Sequence, residues 1–342
     1  MIDATSLELG SSKDFYVLDA SNRKLKLTKG TVNVSHSAKG VKMKKYGLSL
    51  PVKINPSNGI IFVNSKPYQG YLKLIKSGNK MNVVNILTIE DYVKGVLPKE
   101  IGSASGKEAL KAQAVISRTY ALSNLSRHAH QGFNVCATTH CQIYGGLSDE
   151  VHVTDQAVRE TQGEVLTYEG EFAQTLFHSN CGGRTDNPKY VWNWEKPYLK
   201  GVKCGYCCKA PHTKWEQEID ANLISKKLAN NNIGKIKKIK IKGKTPAGAT
   251  KELEIIHSKG KTMLNAYKFR LAIDEYKIKS HAFNSIKVKG DKVYFKGKGY
   301  GHKFGLCQWG AKGMAEKGKT YKKILEHFYP KAKIKMVDYI AD

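Results

Sequence analysis

Between Leu87 and Leu122 the chain reads LTIEDYVKGVLPKEIGSASGKEALKAQAVISRTYAL. A short apolar segment is followed by a proline, then by a stretch rich in Gly and Ser, then by a long amphipathic run. The pattern predicts a short helix over 89–96 stopped by Pro98. It predicts a second helix over 107–125, whose apolar stripe is Leu110, Ala114, Ile116, Tyr120 and Ala121. Glu100 falls in the loop between them, beside Ile101. A lone carboxyl flanked by packed elements is partly desolvated, which raises its pKa and keeps it protonated near neutral pH. General acid chemistry needs that state. The competing reading is a solvated surface glutamate or a helix cap.

From Phe15 to Val63, FYVLDA, KLKLT, TVNVS, LSLPVKI and IIFVN alternate apolar and polar residues between turn signals. This is the pattern of an antiparallel β module, and it continues through YLKLIKS and MNVVNIL. Further on, a helix is expected over 155–162 with Thr154 as N-cap. A hairpin is expected over 164–177 with its turn at Glu169 and Gly170. A helix follows over 215–229, strands over 233–256, a helix over 262–271, a strand over 291–295, and short helices over 310–316 and 321–328. The fold class is therefore α+β, with mixed β modules and helices and an N-terminal antiparallel β segment. Four segments are expected: 1–80, β-rich; 81–205, a core with Glu100 and a metal-like loop; 206–290, a lysine-rich β insertion; and 291–342, completing the core.

The metal-like loop is HAHQGFNVCATTHCQIYGG. Its imidazoles and thiols suit tetrahedral zinc, with His130, Cys136, His140 and Cys141 as the expected ligands and His128 in reserve. The alternative is a His-rich loop whose thiols form a disulfide. Four protein ligands leave no open coordination site, so the zinc reads as structural. Downstream, SNCGGRT places Ser179, Asn180 and Cys181 where a strand ends, before two glycines that allow close backbone approach. Cys181 beside His178 has the look of a thiol nucleophile, but no ordering acid accompanies it. KCGYCCKAPH adds Cys204, Cys207 and Cys208, read as a disulfide or a second metal site. Seven cysteines are odd in number, so at least one is unpaired or binds metal.

A net charge of +28 predicts attraction to polyanions. The lysines are scattered through strands and helices, and no zinc-finger or aromatic RNA-binding signature is present, so nucleic acid is not the expected partner. The Gly-rich GKGYGHKFGLCQWGA lacks the Gly-Lys-Ser/Thr ending of a nucleotide loop. No apolar run is long enough to span a bilayer. The opening MIDATSLELGSSKDF does not read as a signal peptide, and Met1 is expected to stand after a removed anchor.

KGVLPKEI followed by EALKAQAVISRTYAL resembles the core motif of the stage II sporulation protein D family, which includes amidase enhancers. CQIYGG, DQAVRETQGEVLTYEGEFAQTLFHSNCGGRT and GKGYGHKFGLCQWGAKGMAEKGKTYKKILEHFYP continue the resemblance over roughly residues 80–335. Several ordered blocks are more specific than any single motif. The resemblance implies a peptidoglycan lytic transglycosylase acting in sporulation, during engulfment. It would cut the MurNAc-GlcNAc β-1,4 bond with 1,6-anhydroMurNAc formation in a glycan-binding cleft centred on Glu100. The alternative is a non-catalytic, wall-binding enhancer of a cell-wall amidase. Glu100 is then the catalytic residue, with Asp91 and Glu108 as weaker supporting acids. Gln142 and Tyr144 are expected sugar contacts, as are Ser179 and Asn180. Arg118 would grip a sugar substituent or carboxylate, or serve as a structural salt-bridge partner. His302 would line the cleft or support it. The implied setting is extracytoplasmic, anchored by an N-terminal segment beyond this sequence. The implied partners are glycan strands and other wall hydrolases in a membrane-associated complex.

Overall fold

The computed structural model of the chain describes residues 2–337; Met1 and 338–342 lie outside them. Two compact units emerge. The first comprises 2–104, 113–165 and 336–337, and the second 105–112 and 166–335.

In the first unit, the alternating N-terminal stretch forms two six-stranded antiparallel sheets. One runs Ile2–Ala4, Lys80–Ile86, Tyr71–Ser77, Val52–Pro56, Phe15–Leu18, Lys24–Leu27. The other runs Lys66–Gln69, Ile60–Val63, Ser6–Ser11, Gly30–Ser37, Gly40–Met43, Tyr46–Leu48. Period-2 patterning decides which side chains enter the shared core: in Val52–Pro56 every second residue is buried. Leu9, Val34, Met43 and Ile61 from one sheet meet Phe15, Ile54, Leu74 and Met81 from the other. The run LSLPVKI is not one strand: Tyr46–Leu48 and Val52–Pro56 lie in different sheets. Pro51 between them has no N–H for a ladder, so the chain changes sheets there.

The helices are α1 (Ile89–Glu100), α2 (Lys107–Ser123), α3 (His152–Arg159), α4 (Lys189–Trp192), α5 (Ala221–Lys227), α6 (Ala266–Ile273), α7 (Gln308–Glu316) and α8 (Tyr321–Phe328). The first corrects two expectations. Pro98 does not stop α1, which continues to Glu100 because the N–H groups of Ile101 and Gly102 still reach the carbonyls of Leu97 and Pro98. A proline removes one donor, and here its neighbours keep theirs. Glu100 therefore ends a helix instead of riding a loop. Thr154 is not an N-cap: α3 begins at His152, and the Thr154 hydroxyl donates to Val151 O inside the first turn.

The second unit contains two three-stranded antiparallel sheets, Trp215–Asp220 with Lys292–Gly297 and Phe283–Lys289, and Ile236–Lys244 with Thr250–His257 and Gly260–Asn265. They share a core with α5 and α6 built on Phe269, Phe283, Phe295, Leu253 and Ile255. Trp215–Asp220 is a strand, not the start of a helix, because Trp215 and Ile219 are the residues that pack. Likewise 262–265 is strand, and helix begins only at Ala266, where Asn265 caps it. The expected hairpin turn holds: Glu169 and Gly170 both have positive φ, 52° and 89°. Its second strand, Glu171–Phe172, is shorter than expected. A separate strand, Phe177–His178, then pairs parallel with Leu306–Cys307.

Candidate functional site

α1 is fixed at its start by Thr88, whose hydroxyl accepts the Asp91 N–H, and it ends on Glu100. The CQIYGG loop is laid along it. The Ile143 N–H donates to Glu100 Oε1 at 2.6 Å, the Gly145 N–H to Gly95 O at 3.1 Å, and the Tyr92 hydroxyl to Gln142 Oε1 at 3.2 Å. The Tyr144 ring stacks on Tyr92, centroids 5.5 Å apart, and lies so close to α1 that a Cβ on Gly95 would sit 2.4 Å from its Cε2. Gly95 is what lets the loop approach. The Tyr144 hydroxyl donates to Asn85 Oδ1 at 2.8 Å.

Glu100 is half-buried, and burial pushes its carboxyl up to about 7, against the opposing pull of the Ile143 N–H. Its position at a helix C-terminus, the negative end of the dipole, works in the same direction as burial. Asp91 and Glu108, the nearest acids in sequence, have other partners. Asp91 pairs with Lys94 at 2.7 Å, and Glu108 accepts the Tyr321 N–H at 2.7 Å. Sequence reasoning missed Glu150, whose carboxyl burial also pushes up to about 7; it accepts from Gln69 Nε2 at 3.1 Å. No motif marks it, since its burial comes from residues distant in sequence.

Arg118 is not a glycan contact. It is wholly buried, with Nε and Nη2 on the two Glu90 carboxylate oxygens at 2.9 and 2.7 Å and Nη1 on Glu164 O at 2.9 Å. Gln142, expected as a sugar contact, is also fully buried, and among the described residues its Nε2 has no acceptor. Of the expected sugar-contacting residues in this unit, Tyr144 keeps partial exposure, next to Tyr92 and Tyr68.

The metal-like loop gathers His128, Cys136, His140 and Cys141, their ligand atoms all within 4.8 Å of one another. His128 Nε2 lies 3.4 Å from Cys141 Sγ, and His140 Nδ1 lies 3.6 Å from both sulfurs. His130 is not part of this set. It is exposed on a 3-10 turn, Ala129–Gln131, whereas His128, stacked on Phe133 at 4.8 Å, points inward. Two imidazoles and two thiols converging at this spacing fit one tetrahedral zinc ion.

Ser179, Asn180 and His302 belong to the second unit. Asn180 is buried and engaged with Pro211 O and Thr213 Oγ1, both at 3.0 Å, which corrects its role as a sugar contact. Ser179 is half-buried, and its carbonyl accepts the Trp309 N–H at 3.1 Å. The His302 Nδ1 accepts the Phe304 N–H at 3.0 Å, and burial holds its pKa down to about 4, so the ring is neutral. Trp192 packs beside it at 5.8 Å, with Trp194 stacked on Trp192 at 6.1 Å. These tryptophans, flat faces suited to pyranose rings, went unremarked in the sequence because KYVWNWEKPY carries no motif. Cys181 is no nucleophile: it is buried, 3.5 Å from Cys207 Sγ, and His178 Nδ1 bonds to Phe304 O instead.

Comparison with known proteins gives the class. A family described as Stage II sporulation protein matches residues 77–168, and a domain family of unknown function, DUF8618, matches 208–305. The chain is 33% identical to Stage II sporulation protein D of Bacillus subtilis, covering 75% of this chain and 76% of that one. It is 36% identical to an uncharacterized protein of Brachyspira hyodysenteriae over 92% of this chain and 84% of that one. It is 28% identical to the Amidase enhancer of Bacillus subtilis over 96% of this chain, spanning about half, 52%, of that protein. The chain belongs to the stage II sporulation protein D family. Among the described residues no helix is long and apolar enough to cross a membrane.

Proposed function

We propose that the chain is a lytic transglycosylase of peptidoglycan, cutting the MurNAc-GlcNAc β-1,4 bond during wall remodelling in sporulation. One observation carries the reading: Glu100, half-buried at the end of α1 with a carboxyl pushed up to about 7, and held in place by the Ile143 N–H at 2.6 Å. At that pKa a carboxyl serves as acid and then as base near neutral pH. Glu100 donates its proton to the glycosidic oxygen as the bond breaks and positive charge develops at C1 of the MurNAc ring. The resulting carboxylate takes the proton of the C6 hydroxyl, whose oxygen closes on C1 to give the 1,6-anhydro product. No water is consumed. Ordinary glycosidases need a second carboxylate for water or for the sugar; the internal hydroxyl removes that need. Tyr144, next in the chain after Ile143, is partly exposed and is the aromatic candidate for a sugar contact.

His128, Cys136, His140 and Cys141 would hold a zinc ion. With four protein ligands the ion supplies a structural clip, not proton transfer. Cys141 precedes Gln142 and Ile143, so fixing Cys141 fixes the N–H that orients Glu100. We place the protein outside the cytoplasmic membrane, with glycan strands as substrate, other wall hydrolases as neighbours and no nucleic acid partner. Incubation with purified wall glycan, followed by mass spectrometry, tests the reading; 1,6-anhydro-muropeptides are expected. Similarity over nearly the whole chain to a protein named Amidase enhancer favours a second reading, wall binding that stimulates an amidase. Absence of anhydro products together with faster peptide release by an added amidase would select it.

A further inference from the structure

Outside the Glu100 region the second unit holds a set of groups that the proposed reaction does not use. Cys181, Cys204, Cys207 and Cys307 are all buried, while Cys208, next to Cys207, is exposed. Their sulfurs lie within 4.8 Å of one another, and those of Cys181 and Cys207 are 3.5 Å apart, with all four thiols free. Four sulfurs bound at about 2.3 Å to one tetrahedral ion stand roughly 3.8 Å from each other. We propose that these four cysteines bind one zinc ion as a closed tetrathiolate, separate from the His128 site.

Hydrogen-bond donors face one of the sulfurs. Cys307 is the N-cap of α7, a nine-residue helix, and its Sγ accepts the N–H groups of Cys181 and Gly310 at 3.2 and 3.3 Å. N–H donors and a helix N-terminus both stabilise a sulfur anion. Gly310 serves a second purpose: a Cβ there would come within 2.7 Å of Cys204 Sγ, so glycine is what admits the fourth ligand. On binding, four thiols release four protons and one dication enters, leaving a net charge of −2. A buried charge of that size calls for a counter-ion. Lys303 is wholly buried, with its Nζ on Ala247 O at 3.4 Å; burial lowers its pKa, and Cys181, Asp186 and Cys307 lie near enough to oppose that. Soft thiolates select zinc over magnesium or calcium, and the spacing fits one ion, without room for an iron–sulfur core between the sulfurs.

The ligands' places in the chain say what the ion does. The domain family of unknown function matches 208–305. Cys207 immediately precedes that segment, Cys307 follows it by two residues, and Cys181 sits after the Phe177–His178 strand that pairs with Leu306–Cys307. The ion would staple both ends of the segment to the strand pair they leave and re-enter. Closing so long a loop removes chain entropy from the unfolded state, as a disulfide does.

The site is independent of the reaction proposed above, and its test uses binding readouts. Native intact protein is alkylated with iodoacetamide, with and without a strong chelator, and each cysteine is mapped by mass spectrometry; metal is measured on the same sample. The expected result is that Cys208 reacts at once, whereas Cys181, Cys204, Cys207 and Cys307 react only after chelation, as zinc is released. A Cys136→Ser, Cys141→Ser double variant should lose one zinc and keep one. If that variant does not fold, cobalt-loaded wild-type protein should still show charge-transfer absorption stronger than a single two-thiolate site gives. Protection that yields to reductant but not to chelator, with disulfide masses, would overturn the proposal. So would ready alkylation of all four without metal, or iron with inorganic sulfide in place of zinc.

Discussion

Glu100 stands under opposed influences, and pH reads the balance. Its carboxyl is pushed from an ordinary 4.5 up to about 7, by burial first, with the Ile143 N–H pulling the other way. The folded state therefore binds a proton more tightly than the unfolded chain does. The stability this gives is complete below about pH 4.5 and is lost as pH rises through about 7. Glu100→Gln removes the titration. Its melting temperature relative to wild type should climb between pH 5 and pH 8, by up to about 3 kcal/mol in stability. Calorimetry of both proteins at several pH values checks this; a constant gap would mean that Glu100 is solvated. The same variant should lose glycan cleavage by about a hundredfold or more, since an amide transfers no proton. Wild-type cleavage should fall above about pH 7, as the acid form disappears.

Two elements, α1 and the CQIYGG loop, make the candidate site, and their fit is a matter of single atoms. Gly95→Ala should raise helix propensity by about 1 kcal/mol. Yet its Cβ would meet the Tyr144 ring at 2.4 Å, so the loop must move and carry the Ile143 N–H away from Glu100. The expected outcome is no gain in melting temperature and a fall in cleavage rate; a more stable, fully active variant would mean that the loop adapts freely. Arg118→Ala should act on stability first. It strands Glu90, which is 16% exposed, and leaves two carbonyls without their donor, at a cost of about 3–5 kcal/mol. Chemical denaturation measures that cost, and near-normal stability with lost activity would return Arg118 to the substrate. These elements also show what the sequence disclosed. Period-2 patterning disclosed the N-terminal strands, and the ordered motifs disclosed Glu100 and the metal-like loop. Neither told His128 from His130, because both imidazoles lie at workable spacings and only Phe133 decides which one turns inward. Burial of Arg118, Gln142 and Asn180 was equally illegible, since each is covered by residues far away in the chain. The helix misread at Trp215 has the same origin: pairing with Lys292–Gly297 overrides local preference.

Across the whole molecule, 57 Lys and Arg against 29 Asp and Glu leave a net +28. Many of these cations lie on faces that fold without them. In Ile236–Lys244 the isoleucines at 236 and 239 pack inward, while Lys237, Lys238, Lys240, Lys242 and Lys244 are exposed. Glu254 pairs with Lys240 and Lys242 at 3.4 and 3.6 Å, which leaves most of the strand's charge uncompensated. Exposed ion pairs of this kind contribute little to stability, so the excess is better explained by what the surface meets. Under the function proposed above that partner is a cell wall carrying anionic polymers, and attraction made of many solvent-exposed charges is screened over about 10 Å at 0.1 M salt. Sedimentation of the protein with isolated walls should therefore show binding that falls steeply as salt rises through that range. Stripping the anionic polymers from the walls should remove the salt-sensitive part and leave the weaker grip on glycan. Binding indifferent to salt on intact walls would place recognition in uncharged contacts, with Tyr144 and the tryptophans Trp192 and Trp194 as the surfaces to test next.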